Sequence, residues 1–215
     1  MTSPPGGETG KRRPIAVPVA ALVIATGLGI TAALGGFAEA SEAPPQQLGP
    51  GSSLDQGEFT TKFTEARSLF QRDPFGGEGK RFLEIELEVT NKSDETTGVG
   101  APGRGKTPGF MFAQSLLKMD PEIGGDLGPT VSVPDEGVPS RQLHPGMTST
   151  VVVRYELPAG DRPPKQIKLD VGVFEEPETF NIDLGWVLVK DGDADDAPPK
   201  VAAQVTLPVN QGGTL

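Results

Sequence analysis

The 215-residue chain has no cysteine, one histidine, one tryptophan and one tyrosine. Without cysteine there is no disulfide framework, no thiolate zinc site, no cysteine nucleophile and no acceptor for a lipid anchor. A lone His144 leaves out the multi-histidine metal sites that imidazole coordination builds. Positive charge is also scarce, with 19 Lys and Arg against 29 Asp and Glu. Lys11, Arg12, Arg13 and Glu8 precede residue 39, so the remainder carries 16 basic against 28 acidic side chains, a net charge of −12. That balance repels a phosphate backbone, and neither nucleic acid nor nucleotide is an expected partner. What the chain has in quantity is turn chemistry: 29 Gly and 22 Pro point to short strands joined by tight connections.

The first 38 residues differ from the rest. A polar segment, residues 1–13, ends in Lys11, Arg12 and Arg13, and residues 14–38 then run for 25 positions without a charge. About 20 apolar residues suffice to cross the hydrocarbon core, so the run is long enough to span a membrane. Basic residues before it place the N-terminus in the cytoplasm and everything after residue 38 outside. Ala38, Glu39 and Ala40 form a small-x-small sequence open to signal peptidase, which would release a secreted protein after cleavage near Ala40. The apolar run exceeds the roughly 7 to 15 residues of an ordinary signal core, which favours an uncleaved single-pass anchor. The Arg12-Arg13 pair hints at a twin-arginine signal, but the match stops there.

Residues 39–53 are rich in Pro, Gly and Ser and read as a linker. Beyond them, residues 54–210 carry strand patterns. Between Arg81 and Asn91, Leu83, Ile85, Leu87 and Val89 alternate with Glu84, Glu86 and Glu88, which predicts one buried and one wet face. Alternation also marks Ser149 to Pro158 and Gln166 to Glu175. Weaker patterns lie at Phe59 to Phe70, Gly109 to Met119, 130–133, 186–189 and 201–209, and Phe110 to Met119 fits a short helix as well. Seven or eight strands separated by turn clusters predict an all-β, immunoglobulin-like antiparallel sandwich, with residues 211–215 as a flexible end.

Four features invite a chemical reading. Gly100 to Thr107, GAPGRGKT, fits the phosphate-loop pattern, with Lys106 and Thr107 in the lysine and hydroxyl positions. A working loop follows a buried strand and opens a helix, whereas Pro108 and Gly109 come next and disfavour a helix start. We therefore read it as a flexible connection, with an NTPase using Lys106 as the rejected reading. Asp191 to Asp196, DGDADD, resembles a calcium loop, but Asp196 stands where the turn needs Gly and Ala202 where a bidentate Glu belongs. It reads as a solvated acidic hairpin tip. His144 has no G-x-S-x-G elbow to make it a triad base, and the stripe Glu84, Glu86, Glu88 is ordinary for a wet strand face. No residue is nominated as catalytic, cofactor-binding or metal-ligating.

Two marks go further. Glu88-Val89-Thr90-Asn91 closes a strand, and Leu143-His144-Pro145-Gly146 turns into a valine-rich strand ending in Leu157-Pro158. Together with the segments around Phe59 and the terminal VTLPV, they resemble the telokin-like, immunoglobulin-like DUF4352 domain of bacterial envelope proteins, to which the secreted mycobacterial antigen MPT63 is related. The resemblance covers roughly residues 48 to 210 and implies a sandwich at the cell envelope, with no catalytic residue to carry over. This chain departs from the lipoprotein members in having no lipid-accepting cysteine. The expected function is a membrane-anchored or secreted, non-catalytic binding module. Its expected partners are the membrane, through residues 14–38, and a protein or other envelope component. The alternatives are an extracytoplasmic hydrolase using His144 and a structural envelope protein with no discrete ligand.

Overall fold

The computed structural model describes residues 43–214 apart from 125–127, 136, 178–184, 193 and 195. Residues 14–38 and the expected cleavage site lie outside the described residues. Among the described residues, no helix is long and apolar enough to cross a membrane. The fold is all-β: β1 (Gln46–Leu48), β2 (Ser53–Asp55), β3 (Phe59–Gln71), β4 (Lys80–Asn91), β5 (Thr97–Gly98), β6 (Leu116–Asp120), β7 (Thr130–Ser132), β8 (Gln142–Leu143), β9 (Thr148–Glu156), β10 (Gln166–Val171), β11 (Phe174–Glu175), β12 (Val187–Leu188) and β13 (Ala203–Thr214). Its only helical turn among these residues is a 3-10 turn at Phe112–Ser115.

Nine strands form one curled sheet in the order β6-β10-β13-β3-β4-β9-β7, with β1 beside β13 and β2 beside β3. The curl turns on β13. Its first half runs antiparallel to β10, from Ala203 opposite Val171 to Pro208 opposite Gln166, and its second half runs parallel to β3, starting with Val209 opposite Ala66. Pro208 sits at the changeover, where a residue with no N–H to donate costs the ladder least. The two ends of the sheet thereby close on one core. Phe59, Leu83, Ile85, Val151 and Val153 from one end share it with Ile167, Leu169, Val205 and Leu207 from the other. Phe59 meets Phe112 and Phe174 edge-on, with ring centroids 5.2 and 5.4 Å away.

A bulge resets the faces of β3. Phe63 pairs with Leu87 but Glu65 with Glu86, leaving Thr64 as the extra residue. Before it Phe59 and Phe63 point into the core; after it Ala66 does, and Arg67 is turned to the outer face. The buried Thr64 hydroxyl has no hydrogen-bond partner among the described residues, a local cost of the reset.

The two sequence marks meet in a corner. Asn91 is fully buried, and its amide donates to the carbonyls of Glu95 at 2.8 Å and Leu143 at 2.9 Å. Its oxygen accepts from the Ser93 N–H and hydroxyl at 3.0 and 2.8 Å. The Gly146 N–H donates to the Asn91 carbonyl at 2.8 Å, and Gly146 takes φ 67° to turn the chain into β9.

Several boundaries differ from the sequence reading. The expected linker 39–53 already contains β1, paired in parallel with β13, and the start of β2; the folded unit begins at Pro44 rather than 54. The C-terminus does not end as a loose tail at 211, because β13 continues to Thr214, opposite Phe70. Gln166 to Glu175 breaks at Gly172, whose N–H goes to the Ser115 carbonyl, into β10 and β11. Phe110 to Met119 divides into the 3-10 turn and β6.

Candidate functional site

The outer face of β3, β4 and β9 carries the most developed arrangement of charge. Glu84 is paired in register with Arg67 on one side and Arg154 on the other. Arg67 donates from Nε at 3.0 Å and Nη2 at 2.6 Å to Glu84 Oε1, while Arg154 donates from Nε at 2.9 Å and Nη2 at 2.6 Å to Oε2. Flanked in this way, Glu84 is 2% exposed, although it stands on the face expected to be wet. A buried carboxylate persists only when its lone pairs are met in this manner. Arg67 reaches Glu65 at 3.0 Å and Glu86 at 3.6 Å as well. The hydrogen bonds that Arg67 donates to Glu84, followed by the charges of Glu84, Glu65 and Glu86, hold the Arg67 pKa above its usual value.

This row forms part of the floor of an open trough of about 1140 Å³. Phe82 and Val152 lie next to it, with the Arg154 guanidinium 5.5 Å from the Phe82 ring centre. After β7, Val133 and Ser140 form a bridge, and Pro134, Pro139 and Arg141 line one side of the trough; Gly212 to Thr214 of β13 line it too. Three guanidiniums, Arg67, Arg141 and Arg154, thus face two carboxylates, Glu84 and Glu86. Arg67 is fully engaged. Among the described residues, Arg154 Nη1 and the whole Arg141 guanidinium make no hydrogen bond or ion pair. The trough can therefore receive acceptor oxygens, with Glu84 holding Arg154 in place.

The sequence candidates lie elsewhere, except the glutamate stripe. Gly100 to Thr107 lies in a β-hairpin: Ala101 bridges Phe110, and Arg104 and Thr107 exchange N–H to carbonyl bonds of 2.9 Å. Gly105 opens the two-residue turn with φ 57°, the torsion a glycine supplies in a tight hairpin. The 3-10 turn at Phe112, not a helix after Thr107, is the next helical element, so the backbone amides are used within the hairpin instead of forming a phosphate cradle. The connection is a hydrogen-bonded hairpin.

His144 is exposed, and its Nδ1 lies 3.1 Å from the Thr96 hydroxyl. Of DGDADD, Asp193 and Asp195 are outside the described residues; the flanking Lys190 and Pro199 form an antiparallel bridge, and Asp191 donates its N–H to the Pro198 carbonyl at 2.8 Å. Of the glutamate stripe, Glu88 pairs with Lys62 at 3.0 Å, Glu86 sits beside Arg67, and Glu84 is buried. Sequence reading missed Arg67 and Arg154. The signal was present only as basic residues on strands that alternate around Glu84's own, and it could not be used without the pairing register.

Glu58, in the turn between β2 and β3, is half-buried, and loss of hydration raises its pKa to about 7. Burial likewise pushes Tyr155 up to about 12. Asp55 is lowered, first by the hydrogen bond from Lys92 at 2.7 Å and then by the Gly57 N–H.

No family model matches the sequence, and no curated protein matches it. A solved structure of a candidate lipoprotein from Staphylococcus aureus is similar over 75% of this chain and 98% of that one, at 13% identity and a TM-score of 0.32. So low a score supports neither a function nor a site.

Proposed function

We propose that the chain is an extracytoplasmic, non-catalytic interaction module of the cell envelope, an immunoglobulin-like sandwich of the DUF4352 kind. It is held at the cell membrane by residues 14–38 or secreted after cleavage near Ala40. The observation that carries this reading is a juxtaposition in the chain. Three basic residues and 25 uncharged ones are followed, from Pro44, by a folded β unit. The absence of cysteine makes residues 14–38, not an acyl chain, the means of attachment. A rigid sheet with a charged trough on its outer face suits contact with a partner.

Fusing alkaline phosphatase or a cytoplasm-dependent fluorescent protein after Leu215 tests the location. The phosphatase fusion is expected to be active and the fluorescent fusion dark. The reverse pattern overturns the reading.

A further inference from the structure

We infer that the trough on the outer face of β3, β4 and β9 binds an acidic, extended polypeptide segment, with Arg141 and Arg154 as its carboxylate contacts. The inference rests on the reading of the domain as an interaction module. Charge is the first argument. After residue 38 the chain carries a net −12, so a position that gathers open guanidinium edges is the place on it where an acidic segment meets least repulsion. Among the described residues the Arg141 guanidinium has no partner, and Arg154 keeps one N–H edge open. Both line the same trough. Glu84 offers no competition, because its two oxygens are taken by Arg67 and Arg154, and Glu86 lies 3.6 Å from Arg67.

Preorganisation is the second argument. Arg154 is held by two bonds to one oxygen of Glu84 and stacks on Phe82, so its remaining edge is presented with little side-chain entropy left to lose. The third argument distinguishes a polypeptide from an anionic polysaccharide. Phe82 and Val152 flank Arg154 on the floor, and the hydroxyls of Thr130, Ser132 and Thr150 border them. An extended peptide repeats its side chains every second residue on one face, so acidic and aliphatic side chains can meet the arginines and the apolar floor together. A polyuronate has no aliphatic side chain to offer.

The test uses the full chain in detergent micelles and a fluorescein-labelled Glu-Val peptide in which Glu and Val alternate at every second position with Ser between them, so that both lie on one face of the extended chain, read by anisotropy. Binding is expected, and Arg141→Gln is expected to weaken it about tenfold, the loss of one charge-assisted contact. Arg141 is exposed, so its variant should keep the wild-type unfolding midpoint. Lys168→Gln, which removes a cation from β10, should change nothing, and the Gln-Val counterpart should not bind. No binding of the Glu-Val peptide overturns the inference, as does equal weakening by Lys168→Gln, which would mean unspecific charge attraction. Displacement by polygalacturonate with no effect of Phe82→Ala would assign the trough to an anionic polysaccharide instead. The assay is indifferent to membrane sidedness, so it can fail while the fusion test succeeds, and the converse.

Discussion

Asn91 and Glu58 show how much one side chain decides here. Asn91 makes four hydrogen bonds inside the corner that joins β4 to the turn before β9. Replacing it by Ala would strand the Leu143 carbonyl, and the expected loss is about 3 kcal/mol in urea unfolding followed by Trp186 fluorescence. A loss below about 1 kcal/mol would show that water replaces the amide. Glu58 behaves differently because its cost depends on protonation. Its folded pKa of about 7 lies above the ordinary 4.5, so the folded protein binds a proton that the unfolded chain releases. Its contribution is complete below about pH 4.5, is lost as pH rises towards 7, and is constant above that. Glu58→Gln is therefore expected to raise the urea midpoint at about pH 8 and leave it unchanged at about pH 4. An equal shift at both would contradict the burial argument.

Elements were legible where burial alternates along one strand and illegible where a distant strand decides. The apolar series Leu83 to Val89, Val151 to Val153 and Ile167 to Val171 identified β4, β9 and β10 because each buries alternate side chains in a shared core. The polar end of β13, NQGGT, gave no such signal, since it is held by a backbone ladder to β3. The Thr64 bulge left no trace in the pattern for the same reason: it is a property of the pairing with β4. Glu84 looked identical to Glu86 and Glu88 in sequence and became a buried ion only through Arg67 and Arg154, 17 and 70 residues away. The Gly100 hairpin combines both cases. Its glycines suggested a loop, but Gly100 at φ 65° lies so close to the returning chain that a Cβ would collide with the Phe110 carbonyl oxygen. Gly100→Ala is expected to cost more than about 2 kcal/mol, whereas a flexible loop would absorb it for a few tenths. The same urea titration separates these outcomes.

At the scale of the molecule, the chain has a basic-then-apolar stretch before residue 39, a β unit starting at Pro44, and in that unit a trough lined by Arg141 and Arg154. That the described chain is all-β could be read from the sequence because turns and alternation are local, whereas the parallel pairing of β13 with β1 and β3 could not. The contact face could not, because it exists only once three strands are in register. The most direct measurement of the whole account is photocrosslinking in intact cells from an ultraviolet-activated amino acid placed at Ser132, on the trough, and in a separate strain at Lys168, on β10. Adducts are expected from position 132 and not from 168, joined to acidic segments of polypeptides outside the cytoplasm. Equal adducts from both positions, or adducts only to cytoplasmic proteins, would contradict it.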